Sequence, residues 1–93
     1  MKTLVIHPED PSTTFLEIVY APIQNKTVIT GGISKSEVMK LIMEHDRIMM
    51  MGHGSPGGLF GVGAFTNCGG YIIDQSSLPY IMNKKDNVFI WCN

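Results

Sequence analysis

Four short runs rich in apolar and β-branched residues lie along the chain, separated by segments that contain proline, glycine and polar residues. The runs cover residues 3–7, 27–30, 47–52 and 88–92. Short apolar runs bounded by turn residues are typical of strands covered on both faces, as in the parallel sheets of α/β proteins. The pattern therefore predicts four buried strands, of which the third leads directly into Gly52-His53-Gly54.

The segment between the first two runs has helical periodicity. Asp10 precedes Pro11, which is a suitable arrangement for an N-cap followed by proline at the first helical position. Phe15, Ile18 and Val19 then recur at helical spacing. We therefore expect a helix over residues 11–20 that packs this apolar face on the sheet.

The clearest helix signal lies between the second and third runs. Ser34 and Glu37 have the spacing of a capping box, in which each side chain bonds the backbone N–H of the other residue. Apolar residues follow with helical spacing, which predicts a helix over residues 35–44. Its inward stripe consists of Val38, Leu41 and Ile42, and His45 ends it as a favourable charge rather than as a ligand.

A third helix is expected before the last run. Asp74 or Ser76 is its cap, and it should extend for about ten residues. Leu78, Ile81 and Met82 supply its buried face at helical spacing.

The segment 54–70 differs from the rest of the chain because it contains seven glycines. Its two short apolar pieces, residues 59–62 and 71–73, predict a β-hairpin beside the main sheet. A glycine-rich loop can also bind phosphate through its N–H groups, but the spacing of a phosphate-binding P-loop is absent.

Together these elements predict an α/β fold. We expect a three-layer, mainly parallel four-stranded sheet, with helices on both faces and a small β-hairpin insert after the third strand. Residues 1–93 should form one domain, incomplete at its C-terminal edge, because the last strand would leave Phe89 and Trp91 exposed. A second copy of the chain in a homo-oligomer, or a missing C-terminal portion, would cover this strand.

Composition excludes several classes of protein. The 93 residues carry a net charge of −1, and Lys84-Lys85 is the densest basic cluster, which argues against a nucleic-acid partner. No apolar run is long enough to span a membrane and no signal peptide is evident, so a cytoplasmic location without membrane contact is expected. Cys68 and Cys92 are the only cysteines, and their spacing predicts free thiols, with no metal site and no cofactor.

His53 and Cys92 are the candidate catalytic residues. Each ends or follows a predicted parallel strand, so both should emerge at the carboxyl edge of the sheet, where open α/β folds place their ligands. Neighbouring strands lie about 4.8 Å apart, close enough for an imidazole and a thiol to share a reacting centre. A histidine that takes the thiol proton and backbone N–H groups that hold an oxyanion are what a cysteine nucleophile requires.

The surrounding residues supply the rest of the predicted site. Gly54 is a candidate oxyanion donor through its N–H group. The flanking residues that we expect to contact a ligand are Gly52, Ser55, Gly57 and Gly58. His7 could reach the same edge, but a hydrogen-bonding role is favoured for it.

The order of these features resembles the caspase-like fold of cysteine peptidases, which includes caspases, metacaspases, gingipains and separase. In that family a His-Gly pair after the third core strand and a cysteine after the fourth strand form the catalytic dyad, and His53-Gly54 and Cys92 match these positions. The resemblance implies that the chain is the N-terminal part of such a fold up to its catalytic cysteine. It also implies a peptide or protein substrate and an oxyanion hole formed by the N–H groups of Gly54 and Cys92.

A second hypothesis belongs to a different class of function. The same carboxyl edge, together with the glycine-rich loop, could bind a small ligand or a partner protein without catalysis. In that case Cys92 would be a structural thiol, since cysteine is among the most frequently buried residue types.

Overall fold

The computed structural model describes residues 1–55, 58–61, 65 and 70–92, with the side chain of Cys92 outside that description. Within these residues six strands are present: β1 (Thr3–Ile6), β2 (Lys26–Ile29), β3 (Arg47–Ser55), β4 (Gly58–Phe60), β5 (Tyr71–Asp74) and β6 (Val88–Cys92). Three α-helices accompany them: α1 (Glu17–Tyr20), α2 (Lys35–Glu44) and α3 (Leu78–Ile81). Two 3₁₀ segments, Pro11–Leu16 and Gln75–Ser77, lead into α1 and α3.

The strands form one mixed sheet of six strands, and the predicted α/β class is confirmed. β1 lies between β2 and β3, and β6 pairs with β3, all in parallel. The expectation of a four-stranded sheet with a separate hairpin was wrong, because β4 pairs antiparallel with the end of β3 and β5 pairs with β4. The hairpin therefore extends the sheet instead of lying beside it.

Two apolar clusters cover the two faces of the sheet. The larger contains buried side chains of α2, α3 and the hairpin together with Leu4, Ile48 and Met50. The smaller contains Tyr20 of α1 with Met49 and Met51. Met49, Met50 and Met51 are nearly fully buried and alternate between the clusters, as expected for a strand with period two. The methionine run is therefore core on both faces.

Helix α2 agrees with its prediction at both ends. Ser34 accepts a hydrogen bond from the backbone N–H of Glu37, and the Glu37 carboxylate accepts one from the N–H of Ser34. Val38 and Ile42 are fully buried. His45 caps the helix through Nδ1, which lies 2.7 Å from the carbonyl oxygen of Leu41.

The first helical segment is oriented differently from the prediction. Residues 11–16 form a 3₁₀ helix, which has three residues per turn, so the face toward the sheet is shared by Thr13, Leu16 and then Tyr20. Phe15 and Ile18, which were expected to be buried, are 70% and 74% exposed. Val19, the third residue of the expected buried face, is also exposed, so the prediction of which side chains face the sheet was wrong.

The last helical segment is shorter than expected. Asp74 is the cap, and α3 continues for only one turn after the 3₁₀ segment. Asn87 donates to the carbonyl oxygen of Ile81 and accepts from the N–H of Ile48, which ties the end of α3 to β3. Of the three side chains predicted to be buried, only Ile81 is, whereas Leu78 and Met82 are exposed.

Candidate functional site

His53 and Cys92 are register partners in neighbouring parallel strands. Strand β3 continues through His53 to Ser55, so the histidine lies within the strand. The sequence pattern predicts a strand that ends before it. The pairing of β3 with β6 runs from Met49 opposite Val88 to His53 opposite Cys92. The two backbones therefore reach the same point of the sheet at its carboxyl edge.

The imidazole of His53 contacts the segment that follows β1. Its Nε2 atom lies 2.6 Å from the hydroxyl oxygen of Ser12 and 3.4 Å from Oδ2 of Asp10. These contacts anchor the imidazole at Nε2, while the side chain of His53 is still 44% exposed to solvent.

Asp10 holds the segment together as the predicted N-cap. Its Oδ1 atom accepts hydrogen bonds from both the backbone N–H and the hydroxyl of Ser12, each at 2.8 Å. The hydrogen bonds from the N–H and then the hydroxyl of Ser12 are the main causes of the lowered pKa of the Asp10 carboxyl; burial opposes them in part, and the nearby His53 ring adds a smaller lowering. The carboxylate form is therefore present at neutral pH and acts only as an acceptor.

Gly54 lies beneath the indole of Trp91. A Cβ atom at this position would be 2.3 Å from Cδ1 of Trp91 and 2.7 Å from the carbonyl oxygen of Gly58. No side chain fits there without displacing the indole or the hairpin. Glycine at this position lets β6 and β4 approach β3 at the same place.

The other predicted ligand-binding residues have different surroundings. Gly52 has a φ of +143°, a conformation that favours glycine, and is buried within β3. The hydroxyl oxygens of Ser55 and Tyr71 lie 2.7 Å apart across the hairpin. Gly58 packs against the backbone of Ile73, and Gly57 lies outside the described residues, as does Cys68. Contact of these residues with a ligand stays a prediction.

His7 is a structural residue, in agreement with the favoured interpretation. It is 4% exposed, and its Nε2 atom lies 3.0 Å from the carbonyl oxygen of Thr13, which can only accept. Nδ1 lies 2.8 Å from the hydroxyl of Tyr20. Burial raises the pKa of that phenol, which therefore stays protonated and donates to His7.

A groove lies on the opposite face of the sheet from the Ser12 contact. It has a volume of about 690 Å³ and lies between α3, β5 and the edge strand β6. Among its described lining residues are Trp91, Phe89 and Tyr71, with Asp74 and Gly58. Asp74 is ion-paired with Lys35, whose hydrogen bond is the main cause of the lowered pKa of this carboxyl. His53 is not part of this groove.

Over the described ranges, no three His, Cys, Asp or Glu side chains are grouped so as to hold a metal ion. Within the same ranges, no helix has the length and apolar character that crossing a membrane requires. Comparison with known proteins gave no match: no family model, curated protein or solved structure is significantly similar to this chain.

Sequence reasoning missed Ser12 and did not connect Asp10 with His53. Ser12 follows a cap and a proline, a position where serine has no special meaning by itself. Ser12 is 41 and Asp10 43 positions from His53 in the sequence, and only the packing of the 3₁₀ segment beside β3 brings them together. The one available signal was that the segment follows β1, whose carboxyl end lies beside that of β3.

Proposed function

We propose that the chain is a cysteine hydrolase of the caspase-like type that acts on peptides, with His53 and Cys92 as its dyad. The parallel register that pairs His53 with Cys92 is the observation that carries this proposal. Register partners in adjacent strands generally present their side chains to the same face of a sheet, which is what proton transfer between them requires. His53 also has an open side chain and an anchored Nε2 nitrogen, which leaves Nδ1 for the chemistry.

The chemistry assigned to these residues is acyl transfer. His53 takes the thiol proton, the sulfur attacks the peptide carbonyl carbon, and the N–H of Gly54 stabilises the oxyanion. The C–N bond breaks as His53 returns the proton to the leaving amine, which gives a thioester. Water, deprotonated by His53, then releases the acid and restores the thiol.

Selective alkylation of the folded chain tests this function. We expect a small thiol-directed electrophile to modify Cys92 faster than Cys68 at neutral pH, because a histidine partner increases the thiolate fraction. Peptide mapping by mass spectrometry gives both rates in one sample. The chain unfolded in urea is the control, in which the two cysteines should react alike. Equal rates in the folded chain would contradict the dyad.

A second function is favoured by the groove beside β6. An apolar cleft of about 690 Å³ with a few polar groups has the character of a small-molecule site. It corresponds to the non-enzymatic hypothesis, with Gly58 as the part of the glycine-rich segment that lines it. Under this hypothesis Cys92→Ser leaves function unchanged, whereas the hydrolase loses all activity.

The proposal also includes a partner for strand β6. Within the described part of the chain β6 pairs only with β3, and Phe89 on it is 50% exposed. An open apolar strand edge favours pairing with another strand. A second copy of this chain, or a further segment of the same protein, would provide it.

A further inference from the structure

We propose that Ser12 is a positioning residue for His53, with its own hydroxyl proton held by the carboxylate of Asp10. This inference rests on the proposed hydrolase function, since it concerns how the dyad histidine is oriented. It adds two residues from a different segment of the chain, which no step of the acyl transfer uses directly.

Counting protons gives the direction of each hydrogen bond. Ser12 has a single hydroxyl proton and two polar neighbours, Oδ1 of Asp10 at 2.8 Å and Nε2 of His53 at 2.6 Å. Asp10 is ionised and cannot donate, so the hydroxyl donates to Asp10, and Nε2–H of His53 donates to the Ser12 oxygen. All three groups are then satisfied. The neutral ring is consequently the Nε2–H tautomer, and Nδ1 is left as the proton acceptor.

The same count argues against Ser12 as a nucleophile. A serine nucleophile must give its proton to the histidine, and the carboxylate must bond the other ring nitrogen. Here Asp10 bonds the serine instead, and the contacts of Ser12 and Asp10 are both at Nε2. The arrangement therefore orients the ring and does not form a serine triad.

The segment that carries Ser12 is itself held rigidly. Its neighbour Thr13 is 5% exposed, and the Thr13 carbonyl oxygen accepts from the buried His7. The N–H of Thr13 in turn donates to the carbonyl oxygen of Asp10. Ser12 is thus fixed to the core on one side and to its cap on the other, which is what orienting a half-exposed imidazole requires.

Proton–nitrogen correlation NMR of the histidine rings tests this assignment without any substrate. In the parent chain at a pH where the ring is neutral, we expect His53 to carry its proton on Nε2 alone. Ser12→Ala should give a mixture of both tautomers, and Ser12→Thr, which keeps the hydroxyl, should restore the parent spectrum. Thr14→Ala is the matched control, because the exposed Thr14 hydroxyl also contacts Asp10, at its backbone carbonyl.

Alkylation of Cys92 provides a second readout. Ser12→Ala should lower its rate about fivefold, equivalent to the loss of one hydrogen bond worth about 1 kcal/mol, and Ser12→Thr should restore it. An unchanged tautomer in Ser12→Ala would overturn the positioning role even if alkylation still depends on His53. The opposite result is a changed tautomer in Ser12→Ala with an alkylation rate that does not depend on His53. It would confirm the hydrogen bond between Ser12 and His53, but it would refute the hydrolase function and with it the positioning role.

Discussion

Gly58→Ala is expected to remove most of the stability of the fold. A Cβ atom at this position would lie 1.9 Å from the carbonyl oxygen of Ile73, and the φ of +146° is one that side chains rarely adopt. Because the three nearest atoms, which belong to Ile73 and Asp74, are all backbone atoms, no rotation of a side chain relieves the overlap. Backbone strain and overpacking together should lower the free energy of unfolding by about 4 kcal/mol. Urea denaturation followed by circular dichroism measures the loss.

Gly70→Ala is the matched control for this substitution. Gly70 also has a positive φ, +104°, but no heavy atom would lie within 4 Å of its Cβ. We expect Gly70→Ala to lower the free energy of unfolding only through backbone strain, by about 1–2 kcal/mol. Equal losses in the two variants would contradict the close packing of β4 on β5.

His53→Ala is expected to slow alkylation of Cys92 by about 30-fold at neutral pH. An unassisted thiol with a pKa near 8.5 is only a few per cent ionised there, whereas a thiol paired with histidine is largely thiolate. The imidazole is half-exposed and bonded only to Ser12 and Asp10 among the described contacts, so its removal should not unfold the chain. Cys68→Ser as background restricts the reaction to one thiol, and the rate follows from mass spectrometry.

The reference for that experiment is the same pair of chains in urea. Unfolding separates positions 53 and 92, so both chains should then react at the rate of a free cysteine. A folded His53→Ala chain that reacts as fast as its parent would show that the imidazole has no influence on the thiol.

The sequence predicted elements whose signals are local. The four parallel strands and α2 follow from short apolar runs and from the reciprocal bonds of Ser34 and Glu37, which lie three residues apart. The 3₁₀ segment was misjudged because helical apolar spacing does not distinguish a 3₁₀ from an α-helix, and Tyr20 rather than Phe15 faces the core. Tertiary contact of Tyr20 with the buried His7 selects that face.

The candidate site was predicted only in part for a related reason. The pairing of His53 with Cys92 follows from strand order, which the sequence pattern contains. The sequence did not predict that β3 extends through Gly54, because glycines are typical of loops. In the structure Gly54 is a strand residue, and it has no side chain because Trp91 packs against it. Ser12 and Asp10 could not be placed at His53, since nothing local in the sequence specifies contacts across 41 and 43 positions.

The most direct measurement concerns the adjacency of positions 53 and 92. In a Cys68→Ser background, His53→Cys provides two thiols on register partners of β3 and β6. The backbones of neighbouring strands lie about 4.8 Å apart across the sheet. A short reagent that fluoresces only after bridging two thiols should react rapidly with this folded chain. It should not do so with Lys40→Cys in the same background, because position 40 is exposed on α2. Bridging in the first variant alone is the predicted result; no bridging in it while the chain is folded would contradict the register on which the dyad depends.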